Sequence, residues 1–410
     1  MLTLAALLLL AGCSLNERSY GPNVVLIVVD TVRADHLGTY GYERKTDAKL
    51  QKFAEEAAVF TQAYSHAPWT KPSIASMLTS RLPREHGVGT WHSLLRPEIR
   101  TLPEVLKEAG YRTEAYVSHH ALNPQTTNLD RGFDVYDISA YEGTDPHKAV
   151  NAHKVTDLGI ASLENQSMES PFFLWLHYFD PHNYYQNHEE FPFGKRKMDR
   201  YDAEIAYTDK QIGRFLKYVE HSGRDEDTIV IITADHGEAF KEHGITLHTT
   251  DLHNELIRVP LLIRVPGLRP TRDDHSVGLL SLTPTILSLL GLPKQPDFAG
   301  RAIDVSFWRK LSLDKDRRVF SSTTYEADKR SAVRGDRKVI RDLENDTWLY
   351  YDLGADPLEQ NPLPTDETVS GLKKQLIDEI GNTPQKAEEL PMDDEQRKIL
   401  EELGYVDPDQ

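Results

Sequence analysis

The stretch NVVLIVVD, residues 23–30, decides the fold because an unbroken apolar run ends abruptly in an acidic residue. A short run rich in β-branched residues is typical of a parallel strand that is buried on both faces. In open α/β sheets, ligands bind beyond the carboxyl ends of such strands, which is the position of Asp30. The stretch therefore predicts a strand that presents one carboxylate to a functional site.

Strand-like and helix-like segments alternate from this stretch onwards. Further strands are predicted at residues 111–118, 172–179, 228–237 and 259–267, and helices at 47–58, 101–109, 201–220 and 283–291. This alternation indicates an α/β fold, with a doubly wound, mainly parallel sheet flanked by helices. The stretch TIVIITADHG at 228–237 also ends in an acidic residue, and we expect that end at the same edge of the sheet.

The pattern changes after about residue 310, where short alternating segments separated by turns indicate a small antiparallel sheet. These segments lie at 317–325, 331–342 and 346–353. We therefore divide the chain into four parts. They are a leader segment at 1–13, a main domain at 22–310, a small β subdomain at 311–363 and a polar, partly helical tail at 364–410.

The overall charge limits the kinds of partner. The 410 residues carry a formal net charge of −17, which argues against a nucleic-acid partner because such proteins present a basic face. An anionic substrate would instead need a local positive centre, and a bound metal ion is the simplest source of one.

The N-terminus holds an apolar run, LTLAALLLLAGC at residues 2–13, that is too short to cross a bilayer. It resembles the end of a bacterial lipoprotein signal, which implies that Cys13 is lipidated and anchors the protein in the bacterial cell envelope. No Lys or Arg precedes the run, so an ordinary apolar N-terminus is the alternative. Cys13 is the single cysteine of the chain, which excludes an internal disulfide.

Acidic and imidazole side chains follow the two strands with acidic ends. Asp30 ends the first, and Asp235 and His236 end the second. One aspartate in such a place is commonly a helix cap, but two strands with an adjacent histidine suggest a metal site. Two carboxylates and an imidazole suit a divalent ion of Zn or Mn character, with Ca or Mg as alternatives.

A hydroxyl of special interest lies in APWTKPSIASMLTSR, residues 67–81. Thr70 precedes Lys71 and Pro72, and proline is favoured at the start of a helix, so Thr70 is an expected N-cap. A helix N-terminus also attracts anions, and a metal-bound hydroxyl there can attack a phosphoryl or sulfuryl centre. The two roles are compatible.

Several ordered motifs resemble the sulfatase family of the alkaline phosphatase superfamily. They are VVLIVVDTVRADHLGTYGY (24–42), the Thr70 segment, LHYFDPH (176–182), YDAEIAYTDKQIGRFL (201–216), TADHGEAFKEHG (233–244) and LYYDLGADPLEQNPL (349–363). The resemblance implies an alkaline phosphatase-like fold, a bound divalent metal and hydrolysis of anionic esters.

The resemblance also implies roles for individual residues. By similarity to the phosphatases, phosphodiesterases and phosphoethanolamine transferases of the superfamily, four side chains would hold the metal: Asp30, Thr70, Asp235 and His236. His182 and His248 would contact oxygens of the transferred group. His120 matches a histidine of a family motif, and Lys71 would offset substrate charge.

The departures from the family pattern narrow the chemistry. Sulfatases carry C/S-x-P-x-R, whose first residue becomes formylglycine, whereas this chain has Thr70 there and Ile74 in place of the arginine. A threonine cannot give the aldehyde, so no formylglycine is expected and a phosphoric ester is favoured over a sulfuric one. Two alternatives remain, a phosphoethanolamine-type transferase acting on envelope glycan or lipid, and a non-catalytic binding lipoprotein.

Overall fold

The computed structural model describes residues 21–141, 151–165, 170–303, 317–364 and 367–383. Cys13 and the leader segment, the expected boundary at 310/311 and the tail beyond residue 383 lie outside the described residues. None of the helices in the described ranges combines the length and the apolar character that crossing a bilayer requires.

Strands of the described chain form a large central sheet, a small C-terminal sheet and two minor ones. They are β1 (Asn23–Val29), β2 (Ala58–Phe60), β3 (Ala63–Tyr64), β4 (Arg112–Val117), β5 (Val135–Asp137), β6 (Phe172–Tyr178), β7 (Thr228–Ala234), β8 (Ala239–Phe240), β9 (Thr246–Leu247), β10 (Arg258–Val259), β11 (Leu261–Arg264), β12 (Thr271–Asp273), β13 (Val277–Gly278), β14 (Val319–Thr323), β15 (Lys329–Arg334), β16 (Arg337–Asp342) and β17 (Thr347–Asp352).

Most of the described helices flank the central sheet and connect its strands, whereas the last one packs on the C-terminal sheet. They are α1 (Ala48–Ala54), α2 (Thr70–Thr79), α3 (Pro83–His86), α4 (Leu102–Glu108), α5 (Pro124–Thr127), α6 (Ala152–Asn165), α7 (Lys197–His221), α8 (Asn254–Ile257), α9 (Leu282–Leu289) and α10 (Glu367–Ile380). Every residue of α2 is buried, so this helix lies inside the molecule and not on its surface.

The central sheet has the strand order β12-β2-β11-β7-β1-β6-β4-β5. Its β7, β1, β6, β4 and β5 are parallel to one another, while β11 pairs antiparallel with both of its neighbours. The predicted mainly parallel, doubly wound sheet flanked by helices is therefore confirmed.

The register of the central strands aligns their carboxyl ends. Val29 of β1 pairs with Tyr178 of β6 on one side and with Ala234 of β7 on the other. The residues that follow these strands, including Asp30 and Asp235, consequently leave the sheet side by side. This alignment builds the candidate site.

The small C-terminal sheet is antiparallel, with the order β14-β15-β16-β17, as the alternating segments predict. Its two faces bury different partners. One face, with Val333 and Ile340, packs on the main domain around Leu252 and Leu256. The opposite face is covered by α10, so the sheet is held between a helix and the body of the molecule.

Candidate active site

Two buried aspartates form the floor of the site. Asp30 and Asp235 are fully buried, and neither oxygen of Asp30 nor Oδ2 of Asp235 makes a hydrogen bond of good geometry within the described chain, although His119 Nε2 lies 3.1 Å from Asp30 Oδ2. Burial, reinforced by the nearby Asp235 and Glu238 carboxylates, raises the pKa of Asp30 well above its usual value. Unpaired carboxylate oxygens are costly in a protein interior. The pair therefore fits a cation.

The backbone beside these aspartates is held in a strained conformation. Thr31, directly after Asp30, has φ of +56°, a left-handed region that a β-branched residue rarely adopts. Its N–H donates to Asp235 Oδ1 at 3.3 Å and its hydroxyl donates to the Pro181 carbonyl at 2.8 Å. These bonds connect the ends of β1, β6 and β7, and such strain is typical of functional sites.

His236 completes a group of three potential metal ligands with Asp30 and Asp235. Its Nδ1–H donates to the Gly237 carbonyl at 2.9 Å, so the neutral ring has its lone pair on Nε2. That Nε2 lies 3.5 Å from Asp30 Oδ1 and 3.8 Å from Asp235 Oδ2. Burial lowers the pKa of His236 to about 4, which keeps the ring neutral and able to ligate.

Thr70 is the first residue of α2, and its hydroxyl oxygen lies 3.2 Å from His236 Nε2. The N-cap position belongs to Trp69, whose backbone is extended, so the expectation that Thr70 caps the helix is wrong. Ser73, one turn on, donates its hydroxyl to the Asp235 carbonyl at 2.6 Å and fixes α2 against the end of β7. The structure thus brings the four predicted metal ligands together.

His119, and not the predicted His120, is the histidine that lies next to Asp30 and Thr70. Its Nδ1 accepts the Ala121 N–H at 2.9 Å, so the neutral ring carries its proton on Nε2. This Nε2 lies 3.1 Å from Asp30 Oδ2 and 3.5 Å from the Thr70 hydroxyl oxygen. His119 also forms a second group of potential metal ligands with Asp30 and His182, but its neutral ring has no lone pair left for a metal because Nδ1 accepts and Nε2 carries the proton, so we assign it as a hydrogen-bond donor in the site.

His120 lies beside this cluster, in an aromatic wall. Its partly exposed ring stacks on Trp91 at 6.0 Å between centroids and lies 5.7 Å from Tyr141. Tyr141 in turn contacts Phe179, which stacks on His182 at 4.6 Å. The wall therefore extends from the buried cluster to the partly exposed His120.

His182 and His248 face each other, with ring centroids 5.0 Å apart, and His248 is 4.7 Å from His236. The Nδ1 of His182 donates to the Asn183 carbonyl at 3.0 Å, and that of His248 is 3.1 Å from Glu238 Oε1. Burial lowers the pKa of His182 to about 3 and that of His248 to about 4. Both rings are thus neutral, with the Nε2 lone pair as their acceptor.

Glu238 is a site residue that the sequence analysis did not single out. It is fully buried and also accepts the Tyr185 hydroxyl at 2.7 Å through Oε2. The sequence places Glu238 only three residues after Asp235, which could have marked it as a site residue. Its hydrogen-bond partners, however, come from segments that are distant in the sequence. Glu238 fixes the orientation of the His248 ring.

Three further residues lie around the site. Lys71, which the resemblance implies would offset substrate charge, is buried, and its ammonium donates to the Trp91 carbonyl. Asp180 accepts the Asn151 N–H at 3.0 Å through Oδ1, next to the start of α6. His177 of β6, which the sequence analysis overlooked, is buried with Nε2 3.7 Å from Asp235 Oδ2.

Fold and site together define an α/β ester hydrolase with a candidate metal centre, and sequence comparison assigns the family. The sulfatase family model matches residues 22–292, and the chain belongs to this family. Delta 4,5-hexuronate-2-O-sulfatase of Bacteroides thetaiotaomicron is 24% identical across 85% of this chain and 86% of its own length. N-acetylglucosamine-6-O-sulfatase of the same organism is 21% identical across 98% and 93%.

Among solved structures, the phosphonate monoester hydrolase of Agrobacterium radiobacter has a similar fold. Its TM-score is 0.74 at 17% identity, covering 92% of this chain and 99% of that one. These comparisons confirm the resemblance drawn from the motifs. The protein is accordingly an ester hydrolase of the sulfatase family.

Proposed function

We propose that this protein is a metal-dependent hydrolase of phosphoric esters in which Thr70 is the nucleophile. The observation that carries the proposal is the position of the Thr70 hydroxyl oxygen, 3.2 Å from His236 Nε2 and 3.5 Å from His119 Nε2. It also lies at the N-terminal end of a buried helix, where free N–H groups favour an anion. A purely structural threonine has no need of such neighbours.

The metal would be held by Asp30, Asp235, His236 and Thr70. When bound, it would supply positive charge that favours the alkoxide of Thr70 and offsets the charge of the substrate. An imidazole among the ligands favours Zn or Mn over Ca or Mg. The unpaired aspartate oxygens support this assignment, because a cation would compensate them.

The neighbouring histidines divide into a donor and acceptors. His119 would donate Nε2–H to an oxygen of the transferred group, because its Nδ1 is already engaged with Ala121. His182 and His248 would each accept a hydrogen bond through Nε2 and so position the water that attacks the threonine ester. Glu238 would keep His248 in the tautomer that this step requires.

Threonine chemistry favours phosphorus over sulfur. Hydrated formylglycine expels sulfate by returning to the aldehyde, but the methyl group on the β-carbon of Thr70 closes that route. Water must then attack the bound ester directly, which positioned histidines can support at phosphorus. A sulfuric ester is the second candidate, since the relatives are named as sulfatases of sugar substrates.

Turnover of three aryl esters tests the proposal. The Zn- or Mn-loaded protein is assayed on p-nitrophenyl phosphate, bis-p-nitrophenyl phosphate and p-nitrophenyl sulfate. We expect phosphoester turnover that falls by at least about 10³-fold in Thr70→Ala and survives in Thr70→Ser, because only the hydroxyl is needed. Sulfate release that depends on Thr70 would contradict the preference for phosphorus, and unchanged phosphoester turnover in Thr70→Ala would contradict the nucleophile.

The two alternative functions, a transferase and a binding lipoprotein, would give different results with the same samples. A phosphoethanolamine-type transferase would pass the group to an added alcohol, so the ratio of transfer product to free phosphate separates it from a hydrolase. A binding lipoprotein would copurify without metal and turn over none of the esters. We favour an enzyme over a binding protein because the Thr70 hydroxyl lies 3.2 Å from His236 Nε2, beside the group of candidate metal ligands.

We also propose that Cys13 is lipidated and anchors the protein in the bacterial cell envelope, on the ground of its Leu-Ala-Gly-Cys context. Metabolic labelling with a fatty acid in a bacterial host tests this proposal. Labelled protein in the membrane fraction is expected, and Cys13→Ser should lose the label. A parent protein that takes up no label would contradict it.

A further inference from the structure

A cavity of about 340 Å³ lies between the main domain and the first strand of the C-terminal sheet. His66, Ser276 and Gly278 line it from the main domain, and Phe320 lines it from β14. None of its lining residues belongs to the cluster around Thr70. The cavity is therefore a second candidate site.

Three buried polar atoms of the cavity lining lack a hydrogen-bond partner within the described residues: His66 Nε2, Ser276 Oγ and Arg317 Nη1. His66 is 4% exposed and Ser276 is 2% exposed, and neither His66 Nε2 nor Ser276 Oγ has a hydrogen-bond partner within the described ranges. The Nδ1 of His66 donates to the Phe320 carbonyl at 2.6 Å, which leaves Nε2 as an acceptor. Buried acceptors without a donor are unfavourable, so this nitrogen fits a hydroxyl group of a ligand.

Gly278 leaves space next to His66 Nε2 because it has no side chain. A β-carbon at Gly278 would lie 2.5 Å from His66 Nε2, closer than any real contact. The backbone φ of Gly278 is −95°, which any residue adopts, so its conformation alone does not demand glycine. The absence of a side chain here is explained by the space that it leaves beside His66.

The charges around the cavity favour an anion. Arg301, Arg317 and Arg318 line it, and guanidinium groups pair well with sulfate, phosphate and carboxylate. Two glutamates are also present, but Glu85 accepts the Leu82 N–H at 2.8 Å and serves as part of a helix cap. Glu379 of α10 is the other. Arg301 and Arg318 already have partners, whereas Arg317 Nη1 is buried without a hydrogen-bond partner within the described ranges, so Arg317 is the guanidinium that an anion would reach.

We propose that this cavity binds a small hydroxylated anion of the size of one sulfated or phosphorylated sugar unit. Its anionic group pairs with Arg317, and one of its hydroxyls donates to His66 Nε2 while another contacts Ser276. The proposal does not depend on the chemistry at Thr70, because the two sites share no residue.

Direct titration of the full-length protein tests the cavity. Glucose 6-sulfate, glucose 6-phosphate, glucose and inorganic sulfate are titrated by calorimetry into Asp235→Asn, in which the metal centre is disabled. We expect saturable binding of at least one sugar ester, and weaker binding of glucose and sulfate, which each lack half of the required groups. When Arg317→Ala/Arg318→Ala is introduced into the Asp235→Asn protein, binding should weaken by about tenfold or more.

Further variants show whether binding takes place in the cavity. Arg269→Ala removes an exposed arginine outside the cavity and should leave binding unchanged. Gly278→Ala should abolish binding by covering His66 Nε2, with folding checked by circular dichroism. In the parent background, the double arginine variant should keep its ester turnover. Absence of saturable binding, or equal binding by the double arginine and Arg269→Ala variants, would overturn the proposal.

Discussion

At the scale of single residues, hydrogen bonds to backbone groups determine which ring nitrogen carries the proton in two histidines of the site. His236 uses Nδ1 to donate and keeps Nε2 for ligation, whereas His119 uses Nδ1 to accept and must carry its proton on Nε2. The same residue type thus takes opposite roles a few ångströms apart. Two groups of potential metal ligands among the described residues include Asp30, and we place the metal in the group with Asp235 and His236 because His119, in the other group, carries its proton on the nitrogen that faces Asp30.

This assignment predicts different results for two histidine variants. His236→Ala should lose the bound metal, because a ligand is removed. His119→Ala should keep the metal but lose about 10²- to 10³-fold in kcat, because a donor to the transferred group is removed. Elemental analysis of each purified protein, together with steady-state kinetics, measures both effects. Loss of metal in His119→Ala would show that this residue is a ligand.

The residue scale also shows what the sequence can and cannot supply. Asp30, Asp235 and His236 were predictable because the ends of adjacent parallel strands must lie together. The choice between His119 and His120 was not, since it depends on the turn at 120–122 that follows β4. Glu238 was missed because its significance comes from Tyr185 and His248, which only the folded chain brings near.

At the scale of elements, the C-terminal sheet holds the two segments that carry Thr70 and His248. Ser321 of β14 donates its hydroxyl to the Ser65 carbonyl at 2.6 Å, ahead of α2. Thr323 of the same strand donates to the Thr249 carbonyl at 2.7 Å. Thr249 has φ of +92°, unfavourable for a β-branched residue, so the bond supports a strained loop next to His248.

Removing that bond should displace His248. Thr323→Val keeps the shape but not the donor, and we expect kcat to fall by roughly 10- to 100-fold with a small change in KM. Thr323→Ser should restore the rate, because it retains the hydroxyl. Phe320→Leu, on the same strand, is the control for general loosening of the sheet. Equal kinetics for Thr323→Val and the parent would contradict this role of β14.

The elements themselves were largely predictable from the sequence, but their pairing was less so. Apolar runs located β1, β4, β6, β7 and β11, and the alternation after residue 310 indicated the antiparallel sheet. The antiparallel direction of β11 follows from its pairing with β2 and β7, which periodicity does not encode. The contacts of β14 with residues 65 and 249 likewise arise only in the tertiary structure.

At the scale of the whole molecule, a polar network fastens the C-terminal sheet to the main domain. His243 Nδ1 bonds Glu255 at 2.6 Å, and its Nε2 bonds the Glu359 carbonyl at 2.9 Å. His243 also stacks on His253, whose Nε2 is 3.1 Å from the Tyr351 hydroxyl. Burial lowers the pKa of His243, but the bond to Glu255 outweighs it and raises the value to about 9.

This shift predicts a dependence of stability on pH. Because the folded pKa of His243 exceeds the unfolded value of 6.5, its contribution is complete below pH 6.5 and is lost as the pH rises through about 9. Between about pH 6 and pH 10, the parent should lose roughly 2 kcal/mol more unfolding free energy than His243→Asn. Urea unfolding measures it, with the exposed His221→Asn as control. Parallel curves for parent and His243→Asn would contradict the pairing.

The central claim is that Thr70 carries the transferred group during turnover, and mass spectrometry of an acid-quenched reaction tests it most directly. The metal-loaded protein is mixed with p-nitrophenyl phosphate, quenched within one turnover and digested, and the peptide that contains Thr70 is sequenced. We predict one added phosphoryl group on Thr70, absent from Thr70→Ala. Rapid turnover with an unmodified Thr70 peptide, or a phosphoryl group on another residue, would contradict the account.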